Sequence, residues 1–181
     1  MTIKNSLPYA GHGVNEHGRT VIPVGLAVGP SGHEVAQPVA GSGIPAGATL
    51  ALTEAAHNVA LILLNTLAGS VVTLPPSTGK GARYRFMVDA LATSNSHVIK
   101  VANATDVMRG VIFSGDDTSD NAVAFKAGDT ADTITLNRTT TGSVTVGEYI
   151  EIEDYKAGFF RVSGFISNTG TPATPFSATV S

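Results

Sequence analysis

Between residue 48 and the C-terminus the chain never runs longer than a short strand before a turn cluster stops it. Ala48–Thr53 alternates, and Asn58–Leu64, Val71–Leu74, Ala82–Asp89, His97–Ala102, Val107–Phe113, Ala122–Phe125, Thr133–Asn137, Tyr149–Glu153, Phe159–Phe165 and Phe176–Val180 follow. Turn clusters such as Thr93-Ser94-Asn95-Ser96, Gly115-Asp116-Asp117 and Lys126-Ala127-Gly128-Asp129 separate them. Short β-rich runs at this spacing predict an all-β domain, an antiparallel sandwich or barrel over residues 48–181. Two strands declare their faces. Ile150 and Ile152 oppose Tyr149, Glu151 and Glu153, and Phe160, Val162 and Gly164 oppose Phe159, Arg161, Ser163 and Phe165. A helix over Leu52–Leu67 is the competing reading of the first part, because Thr53-Glu54-Ala55-Ala56 can open one. No repeat of fixed period is visible, which argues against solenoids and propellers.

Residues 1–47 read differently. Pro8, Pro23, Pro30, Pro38 and Pro45 interrupt any long ladder, while apolar residues recur, densest at Val21, Ile22, Val24, Leu26 and Val28. The segment is expected to be an extended Gly/Pro-rich arm that orders on another surface, with packing on its own domain as the alternative. Burying those five side chains would contribute on the order of 5–10 kcal/mol. Ordering the backbone costs about 1–2 kcal/mol per residue, so such an arm needs a groove, strand pairing or several copies.

The candidate chemical sites are weak. TLPPSTGKGARYRF fails as a phosphate loop, since Leu74 stands where a glycine is needed and Gly81 where a hydroxyl should hold the metal. His12, His17 and His33 lack helical ligand spacing and a thiolate to assist them. Asp116, Asp117 and Asp120 offer oxygens but not the order of a calcium loop, and a solvated acidic turn is the better reading. Glu151, Glu153 and Asp154 raise a glycosidase pair, yet Glu151 and Glu153 share one strand face with no carboxylate opposite. Ser31 and His33 lack a nucleophile elbow. Asn103-Ala104-Thr105 and Asn137-Arg138-Thr139 are sequons without an apolar leader in MTIKNSLPYAGHG. No cofactor or metal is expected. A net charge of −3 gives no footprint for nucleic acid, and the longest apolar run, Val59–Leu64, is too short to span a membrane.

SNSHVIKVANATDVMRGVIFSGDD (94–117), DTITLNRTTTGSVTVGEYIEIEDYKAGFFRVSGF (132–165) and GTPATPFSATVS (170–181) together resemble the head decoration, or cement, proteins of tailed bacteriophages. The likeness covers roughly residues 70–181, and phage tail and fibre proteins share some of its phrasing. It implies a non-enzymatic virion protein on the capsid surface, made in the host cytoplasm. Its partners would be the major capsid protein, clamped at neighbouring subunits, and itself as a homotrimer. A carbohydrate-binding module is a further alternative, weakened by 6% aromatics and no Trp.

Overall fold

The computed structural model describes residues 13–14, 20–21, 26–28, 34–36 and 43–180. The chain divides into two compact units, residues 1–41 and 42–181. In the first, β1 (Gly13–Val14) pairs antiparallel with β2 (Thr20–Val21), and β3 (Leu26–Val28) with β4 (Glu34–Ala36). The Pro and Gly spacing thus permits ladders of two or three residues. Val21, Leu26 and Val28 lie in these strands, while Ile22 and Val24 lie outside the described residues.

The second unit begins with β5 (Ile44–Pro45), β6 (Thr49–Ala51), one helical turn α1 (Glu54–His57), β7 (Ala60–Leu64), β8 (Val71–Thr73), β9 (Arg83–Val88) and β10 (His97–Lys100). The competing helix is therefore a single turn capped by Thr53, whose hydroxyl accepts from Ala56 N–H. Through this stretch the chain changes sheet at every connection. β5, β7 and β9 pair in parallel in one sheet, and β6, β8 and β10 pair in parallel in the other. Three rungs, beginning at Ile44, Ala60 and Arg83, wind as a short solenoid. Their unequal lengths explain why no fixed period shows in the sequence. The expectation that solenoid winding is absent is thereby corrected, and residues 42–47, expected in the preceding segment, belong to this unit.

The rest of the chain extends both sheets. β11 (Val107–Asp116), β12 (Ala122–Lys126), β13 (Thr133–Leu136), β14 (Tyr149–Lys156), β15 (Phe159–Asn168) and β16 (Phe176–Ser177) complete orders of β12-β11-β15-β14-β9-β7-β5 and β16-β13-β10-β8-β6. Both sheets are open, so neither closes as a barrel. Five of the ten pairings are parallel, and both sheets are mixed rather than antiparallel. For the four parallel pairings among the rungs, the physical reason is that the connections carry the chain across to the other sheet. A tight hairpin would instead return it beside its own strand.

Inward side chains stack in rows across the ladders. Ile44, Ile62, Phe86 and Ile150 are register partners in the seven-stranded sheet, and Leu50, Val72, Ile99, Ile134 and Phe176 in the five-stranded one. Both rows belong to one apolar core. Each fully buried Ile, Leu or Phe in it contributes about 1.5–3 kcal/mol. Among the described residues no helix is long and apolar enough to cross a membrane.

β11 contains a position that only glycine fits. Gly110 has φ of +142°, and a Cβ there would stand 1.8 Å from the Val162 carbonyl oxygen across the parallel ladder. Gly110→Ala is expected to destabilise by at least about 2 kcal/mol in denaturant titrations. Gly115→Ala on the same strand, whose Cβ would first meet Phe165 Cζ at 3.5 Å, should stay within about 0.5 kcal/mol of the wild type.

Candidate interaction surface

The Pro-Pro-Ser-Thr-Gly stretch after β8 does wrap a negative charge, but the charge is internal. The buried Asp154 carboxylate accepts from Ser77 Oγ at 2.7 Å, Thr78 N at 2.8 Å, Thr78 Oγ1 at 3.0 Å and Gly79 N at 2.8 Å. Ser77 N–H in turn donates to Asp106, which Asn103 Nδ2 also reaches. Burial pushes the Asp154 carboxyl up, and the bonds from Ser77, Thr78 and Gly79 outweigh it, leaving it below the usual range.

Two further acids do the same work elsewhere. Glu148 accepts from Ser143, Val144 and Thr145 N–H at 2.7, 2.8 and 2.7 Å, closing the turn before β14. Here burial dominates those bonds and holds the carboxyl above its ordinary value. Asp132 accepts from Thr133 Oγ1 and from the N–H groups of Thr179 and Val180, fastening the end of the chain beside β13. Asp106, Asp132, Glu148 and Asp154 are all buried, and each has loop donors as partners.

The remaining sequence candidates separate in space. His12, His17, Ser31 and His33 lie outside the described residues. His57 ends the helical turn, with Nδ1 accepting from Thr53 N–H. His97 is buried, its Nδ1 accepting from Ser70 N–H at 2.9 Å and its Nε2–H donating to the Ala90 carbonyl at 2.7 Å. Asp116 accepts from Thr118 N and Oγ1, which lower its pKa, while Asp117 and Asp120 are exposed. The sequons take the same Asx-turn form: Asn103 Oδ1 accepts from Thr105 N and Oγ1, and Asn137 Oδ1 from Thr139 N and Oγ1. Among the described residues no group of three or more His, Cys, Asp or Glu is placed to hold a metal.

Glu151 and Glu153 do share an outward face, as the alternation predicts, but their partners there are arginines. Glu153 bridges Arg83 at 2.9 Å and Arg161 at 2.7 Å, and these bonds, Arg161 first, hold its carboxyl below the usual range. Arg85 lies 3.6 Å from Glu151 and stacks 5.3 Å from the Tyr149 ring. Exposed pairs of this kind contribute about 0.2–1 kcal/mol, so they shape the surface more than they hold the fold. Four of the six arginines, Arg83, Arg85, Arg109 and Arg161, occupy this one face.

Next to the arginines the same face carries an apolar row through all seven strands. Pro45, Leu63, Met87, Tyr149, Phe165, Phe113 and Ala124 are successive register partners. Phe113 and Phe165 are 52% and 50% exposed, high for aromatic residues in the interior of a sheet. Sequence reading separated the two faces of β14 and β15 but missed this row. Its signal was the outward Tyr149 and Phe165, which assemble only once strand partners are known.

Two substitutions test the buried polar groups. Asp154→Ala leaves the Ser77, Thr78 and Gly79 donors unpaired and is expected to cost about 2–4 kcal/mol in a chemical melt. Burial first, with the Ala90 bond opposing it, depresses the His97 pKa in the fold. The unfolded chain therefore takes up this proton first, and stability present above the unfolded value of about 6.5 is lost as pH falls below it. Glu148, with its raised carboxyl, works in the opposite direction at lower pH. The denaturation midpoint is expected to drop between neutral pH and about pH 5.5, and His97→Gln should flatten that slope.

A comparison with family models, with known proteins and with solved structures finds no match to this chain.

Proposed function

We propose that the chain is a structural, non-enzymatic protein of a tailed-phage head that decorates the capsid by clamping neighbouring major capsid subunits. The observation that carries this reading is where the polar chemistry goes. Each buried carboxylate holds a loop of its own fold, whereas the most organised exposed feature is an apolar row across seven strands. Such a surface suits another protein rather than a small substrate. The resemblance over residues 70–181 supplies the kind of partner.

In this reading the two sheets, sharing one core, form a sandwich that serves as a rigid body. The segment before residue 42 anchors it through Val21, Ile22, Val24, Leu26 and Val28. Several anchors acting together on one shell gain by multivalency what a single one lacks. The homotrimer rests on the resemblance alone. A tail or fibre component is the second reading. It draws support from the first rung, where β5 and β6 are edge strands that another chain could extend.

Gold-labelled antibody on purified particles is expected to mark heads, and label confined to tails would overturn the capsid reading in favour of the second. Deleting residues 2–41, which stops short of β5, is expected to leave thermal melting unchanged and to abolish binding to undecorated heads. Undiminished binding by the deleted protein would contradict the anchor.

A further inference from the structure

We propose that the outward face of the seven-stranded sheet is a self-complementary interface that takes a second copy of this chain across a twofold axis. The inference does not depend on the virion reading.

The face is graded along its strands. On β11 the outward positions run Arg109, Val111, Phe113 and Gly115, and the alternation carries on to the exposed Asp117. On β9 they run Arg83, Arg85 and Met87, and then the exposed Asp89. Lys126 sits on the basic side of β12, opposite Val111. The face is therefore net positive at one end, where Arg83, Arg85, Arg109, Arg161 and Lys126 outnumber Glu151 and Glu153, apolar along the central row, and acidic at the other end, where Asp89 and Asp117 lie.

Three arrangements of a second copy can be compared. A twofold axis lying in the face and parallel to the strands would place the arginine rows of both copies at the same end, where they repel. A twofold axis running along the apolar row reverses the strand direction and keeps each strand over its own equivalent. Arg109, four residues before Phe113, then meets Asp117 of the second copy, four residues after it. Arg85, two before Met87, meets Asp89 of the second copy, two after. Glu151 and Glu153, two and four residues after Tyr149 on the antiparallel β14, meet the uncharged Gly147 and Thr145 of the second copy. Phe113, Phe165 and Tyr149 stack on their own equivalents. The third arrangement, a head-to-tail ring, would set the face against a different surface, and this one already matches itself. An isologous contact requires that pairing of residue i with j and j with i.

The area suffices. Strands of 2 to 10 residues, about 4.8 Å apart and with about 3.3 Å rise per residue, give a patch of about 700 Å², against about 800 Å² per partner in a stable complex.

The test is the mass of the full chain by light scattering over a range of concentration, with melting curves to show that each variant folds. The expected result is an even-numbered assembly built on a unit of twice 18.5 kDa, in place of the lone trimer that the resemblance implies. Phe165→Ser should weaken it. Arg85→Asp and Asp89→Arg singly should each raise the dissociation constant by about tenfold through like-charge contacts. The double variant Arg85→Asp/Asp89→Arg should return it to within about threefold. A monomer at every concentration overturns the proposal and leaves the face to a partner of another sequence. A trimer or larger assembly indifferent to these substitutions overturns it as well.

Discussion

A chain that crosses between two sheets at most of its connections must satisfy the N–H groups of those loops without a ladder. A buried amide left unpaired costs as much as a lost hydrogen bond. Here buried carboxylates meet that demand. Asp154 binds the Ser77–Gly79 loop, Glu148 the Ser143–Thr145 turn, Asp132 the chain's end at Thr179 and Val180, and Asp106 the N–H of Ser77. Hydrogen bonds to a charged acceptor are roughly twice as strong as neutral ones, which offsets the cost of burying the acid. The oxygens of these acids are thereby engaged by donors of the chain's own loops.

With the buried carboxylates occupied, the surface is free to be shaped by register alone. Parallel pairing of β7 with β9 and of β11 with β15, and antiparallel pairing of β14 with both its neighbours, bring one outward residue from each strand into line. That is how Met87, Tyr149, Phe165 and Phe113 become one row although they are far apart in sequence. A slip of one residue in any of these ladders would turn that strand's aromatic inward and its core residue out. The core rows through Phe86, Ile150 and Ile112 therefore fix the surface row as a by-product of their own burial.

The strands themselves were legible. Short β-rich runs located each strand from β6 onward, and alternation put Ile150 and Ile152 on one face with Glu151 and Glu153 on the other. Strand partners were not legible, because a period of two assigns a residue to a face and says nothing about which strand lies beside it. The parallel rungs are hidden for the same reason, compounded by connections of unequal length. Asp154 was grouped by nearness in sequence with Glu151 and Glu153, yet one step along a strand reverses the side on which a carboxylate sits. PPSTG was legible as a connection between strands, but the residue that holds it is about 75 positions away. Contacts at that separation leave no local trace. The Asn-x-Thr triplets fell between these cases: the turn chemistry is local, and both fold as Asx turns.

Amide hydrogen exchange measured residue by residue tests most directly whether buried carboxylates hold the loops. The N–H groups of Thr78, Gly79, Ser143, Val144 and Thr145 are expected to exchange nearly as slowly as ladder amides in β9 and β14, since opening them requires releasing a buried acid. Replacing Asp154 with Ala should release Thr78 and Gly79 alone, leaving the Glu148 turn protected. Rapid exchange of all five amides in the wild-type protein, at the rate of exposed loops, would contradict the account.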